Sequence, residues 1–250
     1  MTITLADIKR NTMGPPRIVI YGVPGIGKTT FAAAAPSPIF IPIEDGLGQL
    51  DVPMFPQPKT YGEVIDCINA LLTEPNEFAT VVIDSLDKLE PLIWDEACRL
   101  GGKKSIEDFG YGKGYTAAAQ IWRELLAGLD ALRANGLAII LIAHSAVVKF
   151  EAPETDPYDR YQLRLHKAAD AAICDWADVV LFANTKTTTI VSGGQGSEKR
   201  RGVSDGTRVV HANERPAWRA KNRYGMPETM KLDWAEVESH IKPVAQVTAS

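Results

Sequence analysis

Eight residues limit what this chain can fold into more than any other stretch: Gly22-Val23-Pro24-Gly25-Ile26-Gly27-Lys28-Thr29. They fit the spacing G-x-x-x-x-G-K-[ST]. A short β-branched run, RIVIY (17–21), precedes them, and a run of helix formers, KTTFAAAA (28–35), follows and stops at Pro36. Strand, glycine turn, helix is the order that the motif's mechanism requires. The glycines let several backbone N–H groups point into one concavity, and the helix N-terminus behind them adds positive potential, so the loop is built for phosphate. Lys28 is placed to neutralise β- and γ-phosphates, and the Thr29 hydroxyl to meet Mg²⁺. The expected ligands are ATP and Mg²⁺. The expected binding residues are Gly22, Val23, Pro24, Gly25, Ile26, Gly27, Lys28, Thr29 and Thr30.

The remaining pattern sets the fold class. Apolar runs at 17–21, 38–44, 79–84, 137–144 and 178–184 read as strands, and helical spacing at 28–35, 61–74, 86–100, 116–134 and 165–177 separates them. This alternation predicts an α/β fold of the P-loop NTPase kind, a mostly parallel central sheet with helices on both faces. Residues 149–162 read as a polar loop. Residues 185–232 read as short strands around a Gly/Ser/basic loop at 192–206, a β-rich C-terminal extension. Residues 1–16 read as a mobile lead-in and 17–250 as a single domain. Cys67, Cys98 and Cys174 are widely spaced and form no CxxC, which predicts reduced thiols in a cytoplasmic setting. No run of about 18 apolar residues is present to predict a membrane span. The net charge of -4 excludes a globally basic nucleic-acid binder, so any such site must be local.

Three further residues carry chemistry. TVVIDS places Asp84 after four apolar residues, at the end of a strand, where a magnesium carboxylate belongs; capping of the helix 86–100 is the alternative role. Glu44 closes IFIPIE and is expected to orient water for hydrolysis, with Asp45 as its rival. His144 closes AIILIAH, within reach of a γ-phosphate whose presence it would report, or else it is a satisfied, half-buried histidine.

In this order, these segments resemble the RecA-type ATPase core: FIPIEDGL is similar to the segment with the catalytic glutamate, VVIDSLDKL to the magnesium strand, and LAIILIAHSAVVKF to the sensor strand, where RecA itself has Asn-Gln. AKNRYG (220–225) resembles the Lys-Asn-Arg-aromatic-Gly motif of RadA-type proteins. That likeness implies that Lys221 and Arg223 reach a neighbouring subunit's nucleotide and stabilise charge on its γ-phosphate. GVPGIGKTT, DFGYGKGY, YDRYQLRLHKAADAAICDWADVVLF and KNRYGMP also resemble phage-encoded RecA-like ATPases of the AAA-type ATP-binding class, some of which are single-strand annealing recombinases. The resemblance runs from about residue 17 to 232. It implies self-association with nucleotide between subunits, single-stranded DNA as a partner, and a single-strand-binding protein as a second one.

The residues offer three DNA candidates. GGKKSIEDFGYGKGY (101–115) combines Lys103, Lys104 and Lys113 with Phe109, Tyr111 and Tyr115, cations interleaved with stacking platforms. The 149–164 segment, with Glu151, Glu154, Asp156 and Asp159, is too acidic for a simple phosphate grip. The 192–206 loop carries Lys199, Arg200 and Arg201. The leading expectation is an ATP- and Mg²⁺-dependent recombinase. A regulatory ATP-binding loader of a replication protein and a P-loop small-molecule kinase share the same phosphate loop.

Overall fold

A computed structural model describes residue 4, residues 13–192 and residues 199–241, with backbone alone at 152, 187–192 and 199–203. In chain order, strand β1 (Arg17–Gly22) leads through the glycine loop into helix α1 (Lys28–Ala33); β2 (Pro38–Pro42), α2 (Tyr61–Thr73), β3 (Thr80–Asp84), α3 (Leu86–Gly101) and α4 (Lys113–Ala134) follow. Then come β4 (Ala138–Ala152), β5 (Thr155–Leu163), α5 (Lys167–Trp176), β6 (Val179–Ser192), β7 (Lys199–His211), β8 (Lys221–Asn222), β9 (Thr229–Lys231) and α6 (Trp234–Ile241).

The sheet runs β2-β3-β4-β1-β6-β7-β9. The five strands from β2 to β6 are mutually parallel. Their centres are apolar on both faces, as strands sandwiched between helices must be: Ile18, Val19, Ile20, Val81, Val82, Ile83, Ile139, Ile140 and Leu141 are all fully buried. One face packs on α2, α3, α4 and α5 through Val64, Ile68, Leu89, Ile93, Trp122 and Leu125. The other packs on α1 and α6 through Phe31, Trp234 and Val237. Thr60 caps α2, its hydroxyl accepting from Glu63 N at 3.2 Å.

Two segments differ from the sequence reading. Residues 149–162 are not a loop. They belong to the antiparallel hairpin β4–β5, with Ser145 opposite Leu163 and Phe150 opposite Tyr158. The acids and Pro157 obscure the strand; they are tolerated because β5 is an edge, where solvent takes the outward groups. Of the basic 192–206 segment, 192 and 199–206 are strand, β6 and β7 pairing antiparallel from Phe182–His211 out to Ser192–Lys199, and 193–198 lie outside the described residues. Lys199, Arg200 and Arg201 face Ser192, Val191 and Ile190 in that ladder, and their side chains lie outside the described residues. Most of the 1–16 lead-in also lies outside them; Pro15 and Pro16 are anchored, their carbonyls accepting from Arg133 Nε at 2.6 Å and Ile139 N at 2.9 Å.

Candidate nucleotide site

Parallel strands carry every strand end that matters to one edge of the sheet. Gly22 is in register with His144, and Asp84 with Ile142. The chain leaves β1 at Gly22 because β6 is pressed against it there: a Cβ on Gly22 would lie 2.2 Å from the Ala183 carbonyl oxygen. Gly27 enters α1 at φ 110, a left-handed conformation that side chains disfavour.

Between this loop and the β2 and β3 ends lies a cavity of about 420 Å³. Gly25, Gly27, Lys28, Thr29, Thr30, Glu44, Asp84, His144 and Arg208 are among its walls. Lys28 is almost fully buried, its ammonium donating to the carbonyls of Gly22 at 3.1 Å and Val23 at 3.0 Å. Burial pulls its pKa down, while Asp84, Asp87 and Glu44 push the other way. Thr29 Oγ1 donates to Asp84 Oδ2 at 2.8 Å. Burial lifts the Asp84 pKa, and the Thr29 hydroxyl holds part of that shift back. Glu44 stands beside them because Ile43 N and Glu44 N both donate to the Asp84 carbonyl. Its Oε1 accepts from the fully buried Ser85 hydroxyl at 2.9 Å.

His144 is held rather than free. Its N–H donates to Asp87 Oδ1 at 2.9 Å, and its Nδ1 sits 2.9 Å from Asp87 Oδ2. Arg164, at the foot of the β4–β5 hairpin, donates to the same Oδ2 at 2.6 Å. Burial alone would raise Asp87, but Arg164 and His144 outweigh it and bring its pKa to about 2. The cavity wall is thus tied through one carboxylate to the hairpin.

The chemistry of these walls fits a magnesium nucleotide. Thr29 and Asp84 are adjacent hard oxygen donors, the type Mg²⁺ takes alongside phosphate oxygens. Lys28 and the loop supply positive charge.

The other expected residues are distributed elsewhere. Lys221 and Arg223 do not reach the cavity: Lys221 and Asn222 pair with Val180 and Val179, at the end of the sheet where β6 begins. The Lys221 ammonium holds the α5 carbonyls of Cys174 at 2.9 Å and Asp175 at 2.7 Å, and Arg223 pairs with Asp178 at 3.0 Å. In the 101–115 segment, Phe109 packs inward on α3, where a Cβ on Gly101 would lie 2.5 Å from its ring. Tyr115 stacks on His166 with ring centroids 4.1 Å apart and meets Trp94 edge-on. Neither ring is therefore an open platform, a correction to the expected aromatic trio. Tyr111 is fully exposed, and Lys103, Lys104 and Lys113 of the same segment are exposed too.

Sequence reasoning missed Asp87, Arg164 and Arg208. Asp87 had a signal, an acid in the first turn of a helix starting at a cavity. Arg208 had none, since its place depends on the β6–β7 register, which sets it opposite Thr185.

The match to known proteins follows this geometry: residues 14–224 fit the AAA domain family. The chain belongs to that family. With its phosphate loop, the AAA domain is a P-loop ATPase domain. Among curated proteins, an uncharacterized SPbeta prophage-derived protein, YorG of Bacillus subtilis (strain 168), is 24% identical over 177 residues, 67% of this chain and 50% of its own length. The chain thus spans about half the length of that relative. Among solved structures, the KaiC-like protein PH0186 of Pyrococcus horikoshii OT3 overlaps 79% of each chain at 14% identity and a TM-score of 0.40. That overlap is loose, and the parallel sheet of the AAA domain is defined by its own strand order. Among the described residues, no helix is long and apolar enough to cross a membrane.

Proposed function

We propose that this AAA domain turns over ATP on single-stranded DNA, assembling along the strand and promoting annealing or strand exchange as a RecA-like recombinase. The observation that carries the DNA reading is Tyr111. It sits between Gly110 and Gly112 with all three residues at positive φ, and its ring is entirely in solvent. A non-glycine residue in this region costs about 1–2 kcal/mol, and such strain collects at functional sites. Lys103, Lys104 and Lys113, in the same 101–115 segment, are exposed as well. An open aromatic face on a lysine-bearing segment suits stacking on a base, with lysines available to its phosphates. The prophage origin of the YorG relative agrees with a role in phage DNA metabolism.

In this reading, Lys28 neutralises the phosphate tail, and Thr29 and Asp84 hold Mg²⁺. Bound Mg²⁺ supplies charge neutralisation to the phosphate oxygens. Glu44, oriented by Ser85, accepts the proton of an attacking water. His144 faces the cavity from the point in β4 where its parallel pairing with β1 ends. Lys221 and Arg223 serve a neighbouring copy: they lie at the far end of the sheet from this chain's own cavity, so the nucleotide they meet is another copy's.

The test is ATP turnover with and without single-stranded oligonucleotide. The expected result is a stimulation of several-fold or more, lost in Tyr111→Ala with the unstimulated rate retained. Equal turnover in both conditions would sink the DNA reading.

A further inference from the structure

We propose that Arg208 is a phosphate-binding residue acting within its own chain, completing the site for a nucleoside di- or triphosphate opposite Lys28. The inference rests on reading the cavity as a nucleotide site, and goes beyond it in naming the second cation and its origin.

Arg208 lies on β7, far in sequence from the phosphate loop, yet it lines the same cavity as Gly27, Lys28 and Thr29. A Cβ on Gly27 would sit 3.1 Å from Arg208 Nη1, so the guanidinium covers the turn into α1. Its backbone is held on two sides: Arg208 pairs with Thr185 of β6, and its carbonyl accepts from Leu232 N at 3.2 Å. The sheet register therefore aims the side chain.

Its chemistry is open. Among the described residues, Arg17, Arg99, Arg133, Arg160, Arg164, Arg215, Arg219 and Arg223 each pair with a carboxylate and Arg123 bonds Gln120, whereas Arg208 pairs with no carboxylate. Lys28, the cavity's other cation, is buried and turned onto loop carbonyls. Glu44, Asp45 and Asp84 also face the space. Lys28 alone leaves these walls net negative toward a ligand that is itself a polyanion; a free guanidinium at the mouth corrects that locally. Its planar fork suits two phosphate oxygens at once. Gly27 has no side chain to keep it off.

The distinction from Lys221 and Arg223 is physical. Those two are engaged at the opposite end of the sheet, whereas Arg208 reaches its own chain's loop without a second copy. The share of nucleotide affinity that Arg208 supplies should therefore not depend on protein concentration, whatever a neighbouring copy's Lys221 and Arg223 add.

The experiment measures binding of fluorescent ATP, ADP and AMP analogues to the full chain and to Arg208→Ala, Arg208→Lys and Lys28→Ala, with thermal melts of each variant. For Arg208→Ala we expect ATP and ADP affinity to fall about tenfold or more, the loss of charge-assisted hydrogen bonds, with AMP little changed. Arg208→Lys should recover part of the loss, and the affinity ratio of wild type to Arg208→Ala should stay constant across protein concentrations. Wild-type affinity in Arg208→Ala, with binding abolished in Lys28→Ala, would overturn the role of Arg208 alone. A loss in Arg208→Ala that appears only as protein concentration rises would overturn its action within one chain. Undiminished binding in Lys28→Ala would overturn the nucleotide reading beneath it. Should Arg208→Ala melt early, Arg208→Lys decides: ATP and ADP affinity equal to wild type would overturn the bidentate role.

Discussion

At the residue scale, Asp84 and Glu44 are carboxylates on neighbouring strand ends with different surroundings. Asp84 is buried, in contact with Thr29, and pushed up in pKa by that burial. Glu44 is half-buried and steered by Ser85. Their substitution should separate metal from water chemistry. Asp84→Asn should keep metal-free ATP binding but lose the gain that Mg²⁺ gives, with turnover falling about 100-fold or more. Glu44→Gln should bind Mg-ATP as wild type does and slow hydrolysis by about 10²–10⁴. Binding with and without EDTA, beside steady-state turnover, reads both. Equal effects on binding and rate in the two variants would refute the division of labour.

At the element scale, α3 carries two buried carboxylates one turn apart with opposite pKa shifts. Asp87 is held at about 2 by Arg164 and His144 against its burial. Glu90, 6% exposed, accepts among the described residues only the His166 N–H at 3.0 Å; burial dominates and lifts it to about 7. The raised group favours the folded state in its protonated form. Its contribution is complete below about pH 4.5 and is lost as pH rises through 7. The depressed group works in reverse: its contribution is present above about pH 3.8 and is lost as pH falls through 2. Glu90→Gln should therefore flatten the fall in stability between pH 4.5 and 7, and at pH 8 the variant should exceed wild type by about 2 kcal/mol. Urea unfolding across that range measures it, and an unchanged slope in the variant would assign the titration to another group.

At the scale of the whole molecule, the two ends of the sheet do different work. The C-terminal ends of β1 and β3, and His144 where β4 leaves its parallel pairing, open into the cavity. The opposite end is closed by ions around Asp178, which is buried. Arg17 of β1 pairs with it at 2.9 Å, Arg133 of α4 at 3.6 Å and Arg223 beyond β8 at 3.0 Å. Burial would raise Asp178, but the Arg17 hydrogen bonds win and hold it below its usual range. One carboxylate therefore fastens three separate parts of the chain to the start of β6. Asp178→Asn should cost about 3 kcal/mol at neutral pH, because it leaves part-buried guanidiniums unpaired. The deficit should shrink below about pH 3.8, where Asp178 takes up its proton in the unfolded wild-type chain first and in the folded protein only at lower pH. Denaturant titrations at pH 7 and pH 3 read both values, and a constant deficit would show that the loss is packing rather than charge.

The sequence by itself determined the parallel core and the phosphate loop, because both are local. A buried strand announces itself as a β-branched run, the loop is fixed by contiguous glycines and Lys28-Thr29, and Asp84 is legible as the acid that ends such a run. The predicted 61–74 and 86–100 helices stand within a residue of α2 and α3, since a 3.6-residue apolar period has few other solutions. Only the tertiary structure decided what depends on register between distant strands. It brought Arg208 over Gly27, tied His144 to Arg164 through Asp87, turned Phe109 and Tyr115 inward while leaving Tyr111 out, and folded the acidic 149–162 segment into a hairpin. None of these contacts has a sequence period. Each arises where side chains far apart in the chain compete for one buried place, and burial and charge pairing, summed over the whole fold, choose among them.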